Sequence, residues 1–492
     1  MTNGLDAKKE YSFSSAPVIQ AILSLAIPSV IGQLILVVYN MADTFFIGMA
    51  CNPDIFGANA MDNSLVAGVT ICMPIYMFLS AISNLFGIGA ASVMSRSLGK
   101  GNLWRAKQAS RFAFWGCLFT TVFYCLFSLL ISRPLADFLS GGNPEVAEHA
   151  RSYVLFCVVI FGVPTAMNTL FSHLFRAQGK SLHASIGITL GGILNVALDP
   201  LFMFVIFPLK DAATSAALAT GVSNVIALIY YIVLWIAQRK TLVVSIKFSP
   251  QAFSEGIPGE VLRIGLPACL MTLFENISYM VLDNLVGTVL TGEAGQAALA
   301  GVGVAKKINM LAHSIVRGMT QGVLPLIGYN KTSGNRKRMA KVVYVSGAIS
   351  IGVATICTVA SLFFAAPLSS IFVHDAESIA RAEEFLRILC VGAPFSAVAY
   401  TVISFFQAVG KPWKSLILAL LRKGILDIPL MYIFFLIAGR NVEFGPELVV
   451  MATPIADGVA CIASIVLFVR YLKKNGQNRG QFAEAKPAEK AS

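Results

Sequence analysis

Runs of about twenty apolar residues follow one another along nearly the whole chain, broken by short stretches rich in proline, glycine or charge. At 1.5 Å per residue, such a run crosses a hydrocarbon core about 30 Å thick. The pattern predicts helical spans near 17–48, 62–94, 106–132, 149–174, 182–207, 214–238, 260–290, 296–328, 339–366, 379–408, 413–438 and 447–472, twelve in all. Several exceed about 25 residues, which points to tilt or to extension beyond the bilayer. The short alternating strands of a membrane β-barrel are not seen. The first 16 residues are polar and the next apolar run is too long for a signal-peptide core, so no cleaved presequence is expected.

Composition strengthens this reading. The 492 residues are 56% hydrophobic and 13% charged, about half the charge of a soluble domain, with a mean hydropathy of +0.74. The expected solvent is lipid. The formal charge of +12 is scattered over separate loops and does not call for a nucleic-acid partner.

Its distribution gives an orientation. Basic residues gather before the first span (Lys8, Lys9), between spans 2 and 3 (Arg96, Lys100, Arg105, Lys107) and between 4 and 5 (Arg176, Lys180). They recur after span 6 (Arg239, Lys240, Lys247, Arg263), span 8 (Lys331, Arg336, Lys337, Arg338, Lys341), span 10 (Lys411, Lys414) and span 12 (Arg470, Lys473, Lys474, Arg479). The opposite loops hold little beyond Arg133, Lys210 and Arg440. By the positive-inside rule both termini are cytoplasmic, which requires an even number of spans. The nine cysteines show no CxxC spacing and mostly fall inside spans, so they read as small buried hydrophobes rather than a metal site or a disulfide frame.

The two halves resemble each other. Pro134-Leu135 recurs as Pro367-Leu368, Gly162-Val163-Pro164 as Gly392-Ala393-Pro394, and Arg176-Ala177-Gln178-Gly179-Lys180 as Gln407-Ala408-Val409-Gly410-Lys411. Ala219-Thr220 matches Ala452-Thr453, and Gly101-Asn102 matches Gly334-Asn335. Order is kept and the spacing is always about 230 residues. The expected organisation is a polar tail 1–16, a first lobe 17–240, a linker 241–258, a second lobe 259–473 and a tail 474–492. Six spans per half give both lobes the same orientation, related by a pseudo-two-fold axis along the membrane normal. Such a duplication encloses a cavity between the lobes of one chain, so a monomer that works by alternating access is expected.

Asp43-Thr44-Phe45-Phe46-Ile47-Gly48 ends the first span, and Arg176-Ala177-Gln178-Gly179-Lys180 closes the fourth. Asn195-Val196-Ala197-Leu198-Asp199-Pro200 lies in the fifth, and Gly265-Leu266-Pro267 with Glu275 opens the seventh. In this combination, over residues 17 to 473, the chain resembles the multidrug and toxic compound extrusion (MATE) family. The resemblance implies an all-α, twelve-helix membrane fold in two six-helix lobes. It also implies antiport, in which amphipathic, mostly cationic compounds leave the cell in exchange for Na+ or H+, with no cofactor.

Buried polar groups carry the chemistry. An aspartate at the bilayer centre costs at least about 2.5–3.5 kcal/mol, so its presence needs a reason. Asn195 and Asp199 stand one helical turn apart on one face. With Asp43 and Thr220 they form an oxygen-rich set suited to a hard cation or a proton, although helix-end capping by the aspartates is the alternative. The resemblance implies a cation site at Asp43, Asn168, Asn195, Asp199 and Thr220. It also aligns Glu275 with the acidic residue of the NorM-type branch. The stretch Pro394-Phe395-Ser396-Ala397-Val398-Ala399-Tyr400 lacks that branch's second carboxylate. The weight therefore moves to the N-lobe, as in the DinF-like and MepA-like branches.

Asp283 and Asp427 are candidates for a substrate cation or a second ion. Lys307 is expected to pair with Glu275 or Asp427, or else to snorkel. Met73, Tyr76, Met77, Met271 and Phe274 are expected to line an apolar cavity, because methionine adapts to varied hydrophobic ligands. A lipid-linked-sugar flippase and an intramembrane lipid-modifying enzyme are the competing functions. The first calls for many cavity cations. The second calls for Asp-rich diphosphate motifs, and the chain has none, nor HExxH, GxSxG or P-loop patterns.

Overall fold

The computed structural model describes residues 12–50, 64–140, 143–206, 212–290, 292–373, 375–439 and 444–483. Lys8, Lys9, Cys51, Lys210, Arg440 and the ends of both tails lie outside the described residues. The spans are helical throughout. They are α1 (Val18–Ala50), α2 (Ser64–Gly99), α3 (Leu103–Leu139), a two-part α4 (Pro144–Val154 and Gly162–Ala177), α5 (Ser181–Pro200) and α6 (Ala212–Gln238). The second half contributes α7 (Ile257–Val289), α8 (Glu293–Thr332), α9 (Arg336–Phe363), a two-part α10 (Ala376–Cys390 and Gly392–Ala408), α11 (Pro412–Leu420 and Ile428–Ala438) and α12 (Gly445–Ala483). The last helix continues to Ala483, beyond the expected start of the C-terminal tail at 474.

The repeat is visible in the irregularities. α4 bends by 52° and α10 by 41°, each at the Gly-x-Pro matched between the halves. Proline removes a backbone donor and crowds the preceding turn, so the helix breaks at the same place in each lobe. Asn102 caps α3 by accepting from the Arg105 amide at 2.9 Å, and Asn335 caps α9 by accepting from Arg338 at 3.1 Å. The preceding Gly101 and Gly334 both have positive φ, 73° and 85°, which glycine adopts without a Cβ penalty.

Eight of the helices are individually long and apolar enough to span, and α4 and α10 qualify as bent pairs. α8 and α11 complete the twelve. Apolarity alone does not single them out, because α8 carries Lys306, Lys307 and Arg317. A π-helical stretch, Leu421–Asp427, interrupts α11 with Arg422, Lys423 and Asp427. Large apolar side chains such as Phe123, Leu130, Phe363, Leu436 and Ile462 face outward, as a lipid-facing surface requires.

Helices α1–α6 pack into one lobe and α7–α12 into the other, joined mainly along α2–α7 and α1–α8. Close contacts gather at the end bearing the basic loops. A Cβ on Gly265 of α7 would lie 1.7 Å from the Leu85 carbonyl oxygen of α2, so the backbones touch there as only glycine allows. Glu260 receives Arg96 at 2.9 Å and Arg105 at 2.7 Å, Ser92 donates to the Gln407 carbonyl at 2.5 Å, and Arg338 donates to the carbonyls of Ser12 and Phe13 at 3.0 Å. This end is closed.

Candidate functional site

Between the lobes lies a cavity of roughly 1670 Å³, its mouth included. α1, α2, α4, α5 and α6 line one side, and α7, α8 and α10 the other. Tyr76, Met77 and Met271 face it, as expected of an adaptable apolar lining. Met73 packs instead with Tyr76 and Tyr153 in the first lobe's outer core, and Phe274 lies against Gly424.

On the N-lobe side, Asn168, Asn195 and Thr220 line the cavity, while Asp43 and Asp199 sit behind them, 3% and 0% exposed. Asn195 Nδ2 donates to Thr220 Oγ1 at 3.1 Å and lies 3.4 Å from Asp199 Oδ1. Asn168 Nδ2 donates to Asn224 Oδ1 at 2.9 Å, and Asn224 donates to the Thr220 carbonyl at 2.9 Å. Asp43 is near enough to Asp199 to interact electrostatically. Four buried oxygens, Asp43 Oδ1, Asn168 Oδ1, Asn195 Oδ1 and Asp199 Oδ2, have no hydrogen-bond donor. Buried oxygens of this kind are normally satisfied, so a cluster of orphans on mutually connected residues demands an explanation.

The C-lobe shows the opposite arrangement. Thr453 Oγ1 donates to Asp427 Oδ1 at 3.0 Å, repeating the Asn195–Thr220 contact at the matching positions of α11 and α12. Here the carboxylate is filled: Lys423 Nζ lies 2.7 Å and Ser278 Oγ 2.6 Å from Asp427 Oδ2. Glu275 binds Arg317 at 3.0 Å and accepts from Tyr400 at 3.1 Å. Arg422 Nε meets Asp457 Oδ1 at 2.6 Å and lies 4.4 Å over the Tyr400 ring. Asp283 pairs with Lys306. Every one of these C-lobe acids has a resident cation, whereas neither Asp43 nor Asp199 has an ion pair among the described residues.

Several sequence expectations are corrected. Lys307 pairs with neither Glu275 nor Asp427, since those partners are Arg317 and Lys423; it stands within electrostatic range of Asp43 instead. Asp283 and Asp427 lie outside the cavity lining. Arg176, counted above among loop cations, is 2% exposed and lines the cavity. Asp457, Asn224, Tyr400 and Gln321 were not anticipated. One signal was available: Asn168, Ser172 and Arg176 recur every fourth residue, a polar stripe on an apolar helix.

Twelve spans in two pseudo-symmetric lobes around a central, polar-studded cavity define a multi-pass membrane transporter rather than an enzyme. The sequence profile of the MatE family matches residues 28–201 and again 267–433, once in each half. The chain belongs to the MatE family. It is 26% identical over 459 residues to multidrug export protein MepA of Staphylococcus aureus, covering 93% of this chain and 95% of that one. The MepA of Staphylococcus saprophyticus is 25% identical over 458 residues, with the same coverage. Among solved structures, a MATE in complex with MaL6 superposes with a TM-score of 0.83 at 23% identity, covering 95% of this chain and all of that one. A MOP-superfamily transporter from Pyrococcus furiosus, described by the reverse polarity of its binding pocket, superposes with a TM-score of 0.82 at 22% identity, covering 95% and 98%. The fold and the MepA-like affinity expected from the sequence hold.

Proposed function

We propose that the chain is a cation-coupled antiporter exporting amphipathic, mostly cationic small molecules, with Na+ or H+ binding in the N-lobe as the driving event. The observation that carries this reading is the asymmetry between the lobes. The C-lobe acids are neutralised by the chain's own lysines and arginines, which leaves little attraction for a mobile ion. The N-lobe offers two aspartates and two amide oxygens with unused lone pairs and no basic partner of their own. Oxygen donors of this type suit a hard cation, and protonation of either aspartate satisfies the same need.

Cation binding behind the cavity wall, through Asn195 and Thr220, gives the ion a route to alter the surface a drug contacts. The multidrug export activity named for the Staphylococcus relatives supports the cargo class. Charged lining residues are Arg176, Glu275 and Arg317. That mixed set fits an exporter better than the run of cations a pyrophosphate-bearing lipid calls for. With the basic loops cytoplasmic, the closed end faces inward and the cavity belongs to an outward-directed state.

The test is ethidium efflux from everted vesicles with Na+ and pH gradients imposed separately. Efflux driven by one gradient and abolished by Asp43→Asn is expected. Efflux indifferent to both gradients overturns the reading.

A further inference from the structure

Arg176 is a buried cation without a counter-ion. Its side chain is 2% exposed, its Nη1 donates to Gln321 Oε1 at 3.2 Å, and its Nε and Nη2 have no acceptor. The other charged lining residues, Glu275 and Arg317, satisfy each other. The neighbouring acceptor is already shared, because Gln33 Nε2 also lies 3.4 Å from Gln321 Oε1. His173 is occupied by Asn84, with Nε2 and Oδ1 3.0 Å apart. A second buried donor lining the same cavity, Gln407 Nε2, is likewise unpartnered. The inner part of the cavity therefore has a surplus of donors. An arginine fork of this kind takes a carboxylate through two parallel bonds.

We propose that Arg176 is an anion subsite that takes a carboxylate carried by the transported molecule, so that zwitterionic amphiphiles are cargo alongside simple cations. This rests on the exporter reading and specifies its substrate class. Leaving the guanidinium unpaired in a membrane interior is costly, which accounts for a built rather than incidental site. A cargo molecule then spans from the Glu275 region, which attracts its amine, to Arg176, which takes its acid.

The experiment measures binding of a carboxyrhodamine dye and of its methyl ester to the purified full-length protein by fluorescence anisotropy. The two dyes differ only in the carboxylate. Arg176→Gln is expected to lower the acid-to-ester affinity ratio at least about tenfold, the scale of one lost charge-assisted hydrogen bond, and Arg176→Lys to restore part of it. Added inorganic phosphate should weaken binding of the acid and leave the ester unaffected. An unchanged ratio, including equal loss for both dyes, makes Arg176 structural and overturns the proposal. Phosphate that strengthens ester binding assigns the subsite to a free anion and also overturns it. Ester bound while the acid is refused by the unmodified protein refutes the subsite and leaves cation export standing. Refusal of both dyes counts against the exporter reading itself.

Discussion

Arg422 Nε and Asp457 Oδ1 lie 2.6 Å apart with about 1% of either side chain exposed. The pair joins α11 to α12, and Tyr400 of α10 is stacked beneath the guanidinium. Breaking one side of such a pair leaves an uncompensated buried charge, a loss of roughly 3–5 kcal/mol, whereas replacing both partners by apolar residues is often nearly neutral. Asp457→Asn is therefore expected to lower the thermal unfolding midpoint in detergent sharply. The double variant Arg422→Met/Asp457→Leu should regain most of the loss. Additive losses would mean that the two groups are stabilised independently.

Glu275 and Asp43 face different fates on neutralisation. Glu275 already holds Arg317 and Tyr400, so Glu275→Gln removes a structural ion pair while the N-lobe oxygens stay in place. Asp43→Asn removes one of the carboxylates to which coupling is assigned. Export assayed in intact cells should fall further in Asp43→Asn than in Glu275→Gln at equal surface expression. The reverse order, with Asp43→Asn fully active, would move coupling to the C-lobe.

The twelve spans and the lobe duplication were legible because a bilayer imposes length and apolarity on each span, and because Gly-x-Pro breaks and Gly-Asn caps recur in order. The N-lobe set was legible for a similar reason, since Asp199 and Asn195 stand out in apolar surroundings and share a helical face. Pairing was not legible. Whether Glu275 meets Lys307 or Arg317, both on α8, depends on helix rotation and depth, which sequence spacing leaves open. Arg176 was misread because it adjoins Gly179, whose turn suggested a loop, while the helix in fact reaches Ala177. Asp457 escaped notice because nothing in its own helix hints at the buried arginine opposite.

Glu260 at the start of α7 binds Arg96 of α2 and Arg105 of α3, bridging the lobes at the closed end. The carboxylate is 31% exposed, so each pair is worth only about 0.2–1 kcal/mol. Two such pairs still bias a two-state equilibrium by roughly five- to tenfold. In a background free of native cysteines, Glu260→Gln should raise labelling at Ser92→Cys by an impermeant thiol reagent applied from the basic-loop face. Ser92 is buried against α10 in the closed arrangement, so it reports opening directly. Labelling that stays flat would assign the closure to the α2–α7 and α1–α8 backbone contacts alone.

The remaining prediction joins the N-lobe oxygens to the driving force. One charge moved through 100 mV supplies about 2.3 kcal/mol, so one or two coupling ions sustain a useful drug gradient. Exchange requires that cation and drug favour different states, because a ligand shifts an equilibrium only by its differential affinity. Asp199 is fully buried, bonds towards Asn195 and is electrostatically tied to Asp43, whereas Asn195 and Thr220 reach the cavity surface. Asp199→Asn should therefore still bind ethidium but lose its release by Na+ or by low pH. Asp43→Asn/Asp199→Asn should behave like the worse single variant, since residues sharing one site are not additive. Ethidium dissociation from purified protein, followed across Na+ concentrations and pH, measures both effects. Cation-driven release that persists unchanged in the double variant would remove the N-lobe from the coupling mechanism and direct attention to Glu275, Asp283 and Asp427.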